Sequence, residues 1–184
     1  VIFEKLTASP EDLVRKRINR APLPALATGL PWATIMLASM ASFSPVIASA
    51  PVVPPLAYLM LLAWRMMRPG MLPVWAGLPL GLFDDLYSGQ PFGSGIVLWS
   101  VTMLVLEVVD ERFLWRGFSQ DWLAASGLIA AYLGICALVA GLATGYPLPL
   151  VIGPQILLSL VIYPVVTRVV ALLDRIRLLP LKRL

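Results

Sequence analysis

Six apolar runs, separated by short polar or proline-containing breaks, dominate the chain. They cover about residues 23–43, 52–66, 72–86, 93–109, 122–144 and 148–170. A helix needs roughly 20 residues to cross a hydrocarbon core of about 30 Å. The second, third and fourth runs fall short of that length. The third and fourth are joined by Ser88-Gly89-Gln90-Pro91 and read as a helical hairpin that stops below the membrane surface. Irregular backbone at such depth must be buried in protein or line a cavity. The pattern predicts an all-α integral membrane protein: a six-transmembrane-helix bundle with a short third/fourth-helix hairpin.

The ends of the chain are charged. Residues 1–20 contain Ser9-Pro10-Glu11-Asp12, with serine at an N-cap, proline at the first helical position and acids in the first turn. Leu13, Val14 and Ile18 then share a face opposite Arg15, Lys16 and Arg17. The segment is either an amphipathic helix on the membrane surface or a solvated basic tail. Residues 21–170 make the membrane domain, and 171–184 a basic tail. Ala48-Ser49-Ala50 resembles a signal-peptidase site. The charged leader is long for a signal peptide, so the first run is expected to be retained as a span.

Charge orients the spans. The 14 Lys and Arg fall into four groups: Lys5 to Arg20, Arg65 with Arg68, Arg112 with Arg116, and Arg168 to Arg183. With six spans, all lie on one side. The opposite loops, around Pro45–Pro51, Ser88–Pro91 and Gly145–Pro147, carry none. The positive-inside rule then places both termini in the cytoplasm. Composition agrees: 59% of residues are hydrophobic and 13% charged, with mean hydropathy +0.87, against about 25% charged in soluble domains. The net charge of +4 is therefore a topology signal and implies no nucleic acid. Without histidine a Ser-His-Asp triad is impossible within the chain. No phosphate loop, zinc spacing or dinucleotide fingerprint occurs. The chain is expected to be no enzyme and to hold no cofactor or metal. Cys136, the single cysteine, is expected to pack.

The candidate chemistry lies in Gly77–Gly93. Asp84 and Asp85 are the only acids remote from any basic residue. Adjacent helical residues point about 100° apart, so the two carboxylates cannot share one face. They read as a cation site, a proton-coupled site, a clamp for a partner's helix, or a cap accepting N–H bonds from the turn. Gly77 and Gly81 permit close helix approach. Pro79 is expected to loosen the helix, and Gly89, Pro91 and Gly93 to shape the turn. A small-residue seam, Gly127, Ala130, Gly134, Ala137, Gly141 and Gly145, runs along the fifth span and is expected to pack against another helix, preferably within the chain. Glu107 is expected to snorkel, or to pair with Arg65 or Arg112. Trp64, Trp75, Trp115 and Trp122 read as an aromatic belt. Phe113, Leu114, Trp115 and Phe118, with Arg112 and Arg116, read as interfacial or as a docking surface.

The Gly77-x-x-x-Gly81-x-x-x-Asp85-Leu86-x-Ser88-Gly89-x-x-x-Gly93 pattern carries a family likeness. So do Pro55 opening an aliphatic span that ends in Trp64, and Pro164 in the last span before a basic tail. The chain resembles the bacterial rod shape-determining MreD family; Asp84 preceding Asp85 and the proline-rich outer loops depart from it. The resemblance implies a non-enzymatic inner-membrane component of the cell-elongation machinery, regulating peptidoglycan synthesis and cell shape. Its implied partners are an MreC-like bitopic membrane protein and, through it, an MreB-like filament and the peptidoglycan glycosyltransferase/transpeptidase pair. It also implies a fold similar to transporter S components. The alternative is a small-molecule-binding subunit of that kind, with a pocket on Asp84, Asp85, Tyr87 and Gln90.

Overall fold

The computed structural model describes residues 24–41, 53–112, 117–144 and 149–177. These form six α-helices, and no strand occurs among the described residues. The helices are α1 (Pro24–Ala41), α2 (Leu56–Met67), α3 (Gly77–Tyr87), α4 (Ser94–Arg112), α5 (Phe118–Thr144) and α6 (Pro149–Arg177), with a 3-10 turn at Val74–Ala76. Each helix falls on one of the six apolar runs. The 1–20 segment, the loops around 45–51 and 145–147, residues 113–116 with Trp115, and residues 178–184 lie outside the described residues. The tail expected from residue 171 begins as helix, because α6 continues to Arg177.

Two helical stretches, Ser119–Leu142 and Ile152–Arg177, are long and apolar enough to cross a membrane. The helix on the fourth run is not among these two, although it extends beyond the run. It has 19 residues, about 28 Å at 1.5 Å per residue, because it continues past Val109 through Asp110, Glu111 and Arg112. By contrast α2 has 12 residues and α3 has 11.

The short α2 is the centre of the packing. It touches α1, α4, α5 and α6, and between Ala57 and Met66 every residue except Met60 is buried. The reason is compositional: Leu-Ala-Tyr-Leu-Met-Leu-Leu-Ala-Trp is apolar on all sides, and such a helix has no face to give to solvent. Trp64 is therefore no belt residue. It is fully buried, and its indole N–H donates to Thr34 Oγ1 at 3.0 Å. Trp75 and Trp122 are exposed, as a belt requires.

Helices around α2 turn large aliphatic side chains outward. On α6, Leu157, Val161, Val165, Val169, Leu172 and Ile176 are exposed at helical spacing. On α4, Val97, Val101, Leu104 and Val108 form a similar stripe. Polar side chains lie within: Ser39, Thr102 and Ser159 are buried.

Pro79 does not loosen its helix. It is the third residue of α3, and the N–H it lacks belongs to the first turn, where no intrahelical acceptor exists.

Candidate functional site

The hairpin between α3 and α4 is built from glycine and one carboxylate. Gly77 and Gly81 face α4 so closely that a Cβ on Gly81 would stand 2.5 Å from the Gly95 carbonyl oxygen. One on Gly77 would stand 2.7 Å from that of Trp99. The backbones are in direct contact, which only glycine permits. Between the helices, Gly89 and Gly93 hold φ of +66° and +97°, the left-handed region that favours glycine. Gly81→Val is expected to lower stability by about 2–3 kcal/mol through overpacking. A lower thermal midpoint of the detergent-solubilised protein would register it.

Asp85 locks this geometry. Its Oδ2 accepts from the N–H of Gly93 at 2.9 Å and of Ile96 at 3.2 Å, and its Oδ1 from Gly95 at 2.8 Å. These donors belong to the start of α4, where helical N–H groups have no partner of their own. The carboxylate is 6% exposed and sits at the positive end of the helix dipole. Of the readings open to the acidic pair, the cap describes Asp85, and it serves the N-terminus of α4 as well as the turn.

Asp84 points elsewhere. It is equally buried but lines a cavity of about 400 Å³. The buried Ser39 hydroxyl of α1 faces it. Gln90, Tyr132, Cys136 and Gln155 share the wall, with Pro54 and Pro55. Cys136 Sγ lies 3.4 Å from Gln90 Oε1, and Gln155 Nε2 donates to the Val53 carbonyl at 2.7 Å. Tyr132 stacks on Tyr58 with ring centroids 4.0 Å apart, and Tyr58 is tied to Thr102 through a 2.9 Å hydroxyl–hydroxyl bond. The four-residue pocket expected from sequence is thus half right in membership. Asp84 and Gln90 line the cavity; Asp85 is consumed by α4, and Tyr87 packs on Phe83 with the rings tilted by 43°. Tyr132 and Gln155 were signalled only by being polar within apolar spans.

The opposite end of α2 carries ions. Arg65, its side chain 2% exposed, pairs with Glu107 and lies 2.7 Å from Asp110. Arg68 Nη2 reaches Asp174 Oδ2 at 2.7 Å, and Arg177 reaches the same carboxylate from within α6 at 3.0 Å. Glu107 therefore pairs rather than snorkels. The spacing held the signal: Arg65 and Arg68 stand one turn apart, as do Glu107 and Asp110.

At Gly127 and Gly134 the seam on α5 does not serve internal packing. A Cβ at Gly127 or Gly134 would meet nothing within 4 Å. Ala125, Ile129, Tyr132 and Leu133 face the core instead, and Ala137 lines the cavity. Gly145 lies outside the described residues. Compared with known proteins, the chain matches no family model, no curated protein and no solved structure.

Proposed function

We propose that this chain is a six-span protein of the bacterial inner membrane, with both termini cytoplasmic, acting as a non-enzymatic scaffold of the MreD kind. It would hold an MreC-like single-span partner and, through it, an MreB-like filament and the side-wall peptidoglycan synthases. The observation that carries this reading is the hairpin. Five residues of the MreD-like pattern have distinct jobs there: Gly77 and Gly81 in backbone contact, Asp85 capping, and Gly89 and Gly93 turning. A motif made of structural parts suits a protein whose work is to present helices. The outward aliphatic stripes of α4 and α6 suit lipid or partner helices better than water.

The open glycines of α5 offer the partner a close approach. Association there would come from van der Waals packing in lipid, worth on the order of 0.5–2 kcal/mol per interhelical polar contact added to it. The test is affinity purification in mild detergent from native membranes, with mass spectrometry. An MreC-like protein and wall synthases are expected in the eluate. Gly127→Leu with Gly134→Leu is expected to lower their recovery at least severalfold with thermal stability unchanged. Recovery of an ATPase pair with a membrane coupling subunit would overturn the scaffold reading and favour a transporter-type binding subunit.

A further inference from the structure

Among the described residues, Asp84 is a buried carboxylate with no cation beside it. Asp85 beside it is held by three N–H groups. Asp174 is held by two arginines. Among the described residues Asp84 forms no ion pair, and no lysine or arginine lines its cavity. In the sequence, residues 42–52 and 145–148 contain no Lys, Arg or His. Burying a carboxylate without an ion-pair partner is costly, and the cavity beside Asp84 gives room for a cationic ligand.

A second observation points to the same place. Tyr132 is 2% exposed and lines the cavity. Its hydroxyl sits beside the Trp99 indole, the Gln90 amide and the Cys136 thiol but forms a well-aligned hydrogen bond with none of them. Buried hydroxyls are normally partnered, and this one faces the same space as Asp84. The cavity's size falls within the usual range for small-molecule sites, roughly 300–1,000 Å³. A bare metal ion is a poor match: one carboxylate, two amides and proline walls do not supply the six or more oxygens of a calcium-type shell.

We propose that this cavity binds a small organic cation, its ammonium or guanidinium on Asp84 and its less polar body against Tyr132, Pro54 and Pro55. The Gln90 and Gln155 amides add hydrogen bonds, and the tyrosine ring adds a cation–π surface. This goes beyond the scaffold reading and needs no partner protein.

The chain carries its own reporter. Cys136, the sole cysteine, lines the cavity. Purified protein is treated with 2-aminoethyl, 2-sulfonatoethyl or methyl methanethiosulfonate. Each forms a mixed disulfide with Cys136 and expels methanesulfinate. Modification is followed by intact mass, and rates are normalised to a free thiol. The cationic reagent is expected to react at least roughly tenfold faster than the anionic one, as a focused negative site requires. Asp84→Asn is expected to abolish the bias and Asp84→Glu to keep it. Equal normalised rates in the unaltered protein would overturn the proposal without recourse to any variant. So would a bias that survives Asp84→Asn, or a cysteine that none of the three reagents reaches. Loss of partner recovery in the purification above would leave this result unaffected, so the two readings fail separately.

Discussion

Asp85→Leu is expected to unfold the hairpin end of the molecule. The substitution strips acceptors from three N–H groups at the start of α4. Hydrogen bonds to a charged group contribute about 1.5–3 kcal/mol each, and buried donors left bare cost about 1–3 kcal/mol. Partial rescue by water reduces the sum, and a loss of about 4 kcal/mol is the expected result. That is a large part of the about 5–15 kcal/mol that a domain typically has. Asp85→Asn keeps an acceptor oxygen and is expected to lose about half as much. Asp84→Leu should differ in kind: it removes a buried charge with no ion-pair partner among the described residues and is expected to change stability by less than about 1 kcal/mol. Thermal unfolding in detergent, with proteolysis at the 88–93 turn as a local probe, separates the three. Partner recovery should follow the same order, Asp85→Leu falling well below Asp84→Leu. Equal midpoints for Asp84→Leu and Asp85→Leu would refute the capping role.

Arg65→Leu is expected to cost about 3 kcal/mol, the low end for breaking a buried ion pair by removing one partner. The low end applies because Glu107 is 45% exposed and rehydrates, whereas Asp110 at 18% does so less well. Part of the loss is the 2.7 Å contact between Arg65 and the Asp110 carboxylate. Adding Asp110→Asn to Arg65→Leu should therefore cost less than the sum of the two single substitutions, while Asp110→Asn alone destabilises. A double-mutant cycle on unfolding midpoints reads this directly. Strict additivity of the two substitutions would show that Arg65 acts by packing alone. Arg68→Ala should be milder, since its side chain is 48% exposed and Arg177 still holds Asp174.

The two predictions divide along what could be seen in one dimension. Six apolar runs predicted six helices, and six occur among the described residues. Helix formation there needs only apolar residues in sufficient number between breakers. The turn was equally legible, because Gly89 and Gly93 are among the few residues that adopt positive φ without strain. The close approach at Gly77 and Gly81 was visible as a spacing, since residues four apart share a helix face.

What the chain order left open depends on distance in space. Nothing in Asp84-Asp85 distinguishes the two acids. Their roles follow from the roughly 100° between neighbouring side chains, which gives one to the α4 backbone and the other to the cavity. Tyr132, Cys136 and Gln155 reach that cavity from α5 and α6, 47 to 71 positions from the hairpin's acids by sequence number. No local pattern encodes such a meeting. Trp64 shows the same limit in reverse. A tryptophan at the end of an apolar run looks interfacial until α1 covers it and Thr34 takes its N–H. Hydrophobic patterning by itself determined that this protein is helical, where its helices lie, and where its hairpin turns, because each is a property of neighbours along the chain. Only the tertiary structure decided that α2 is the centre, that Arg65 is paired and that Asp84 has no ion-pair partner among the described residues, because burial and pairing are properties of neighbours in space.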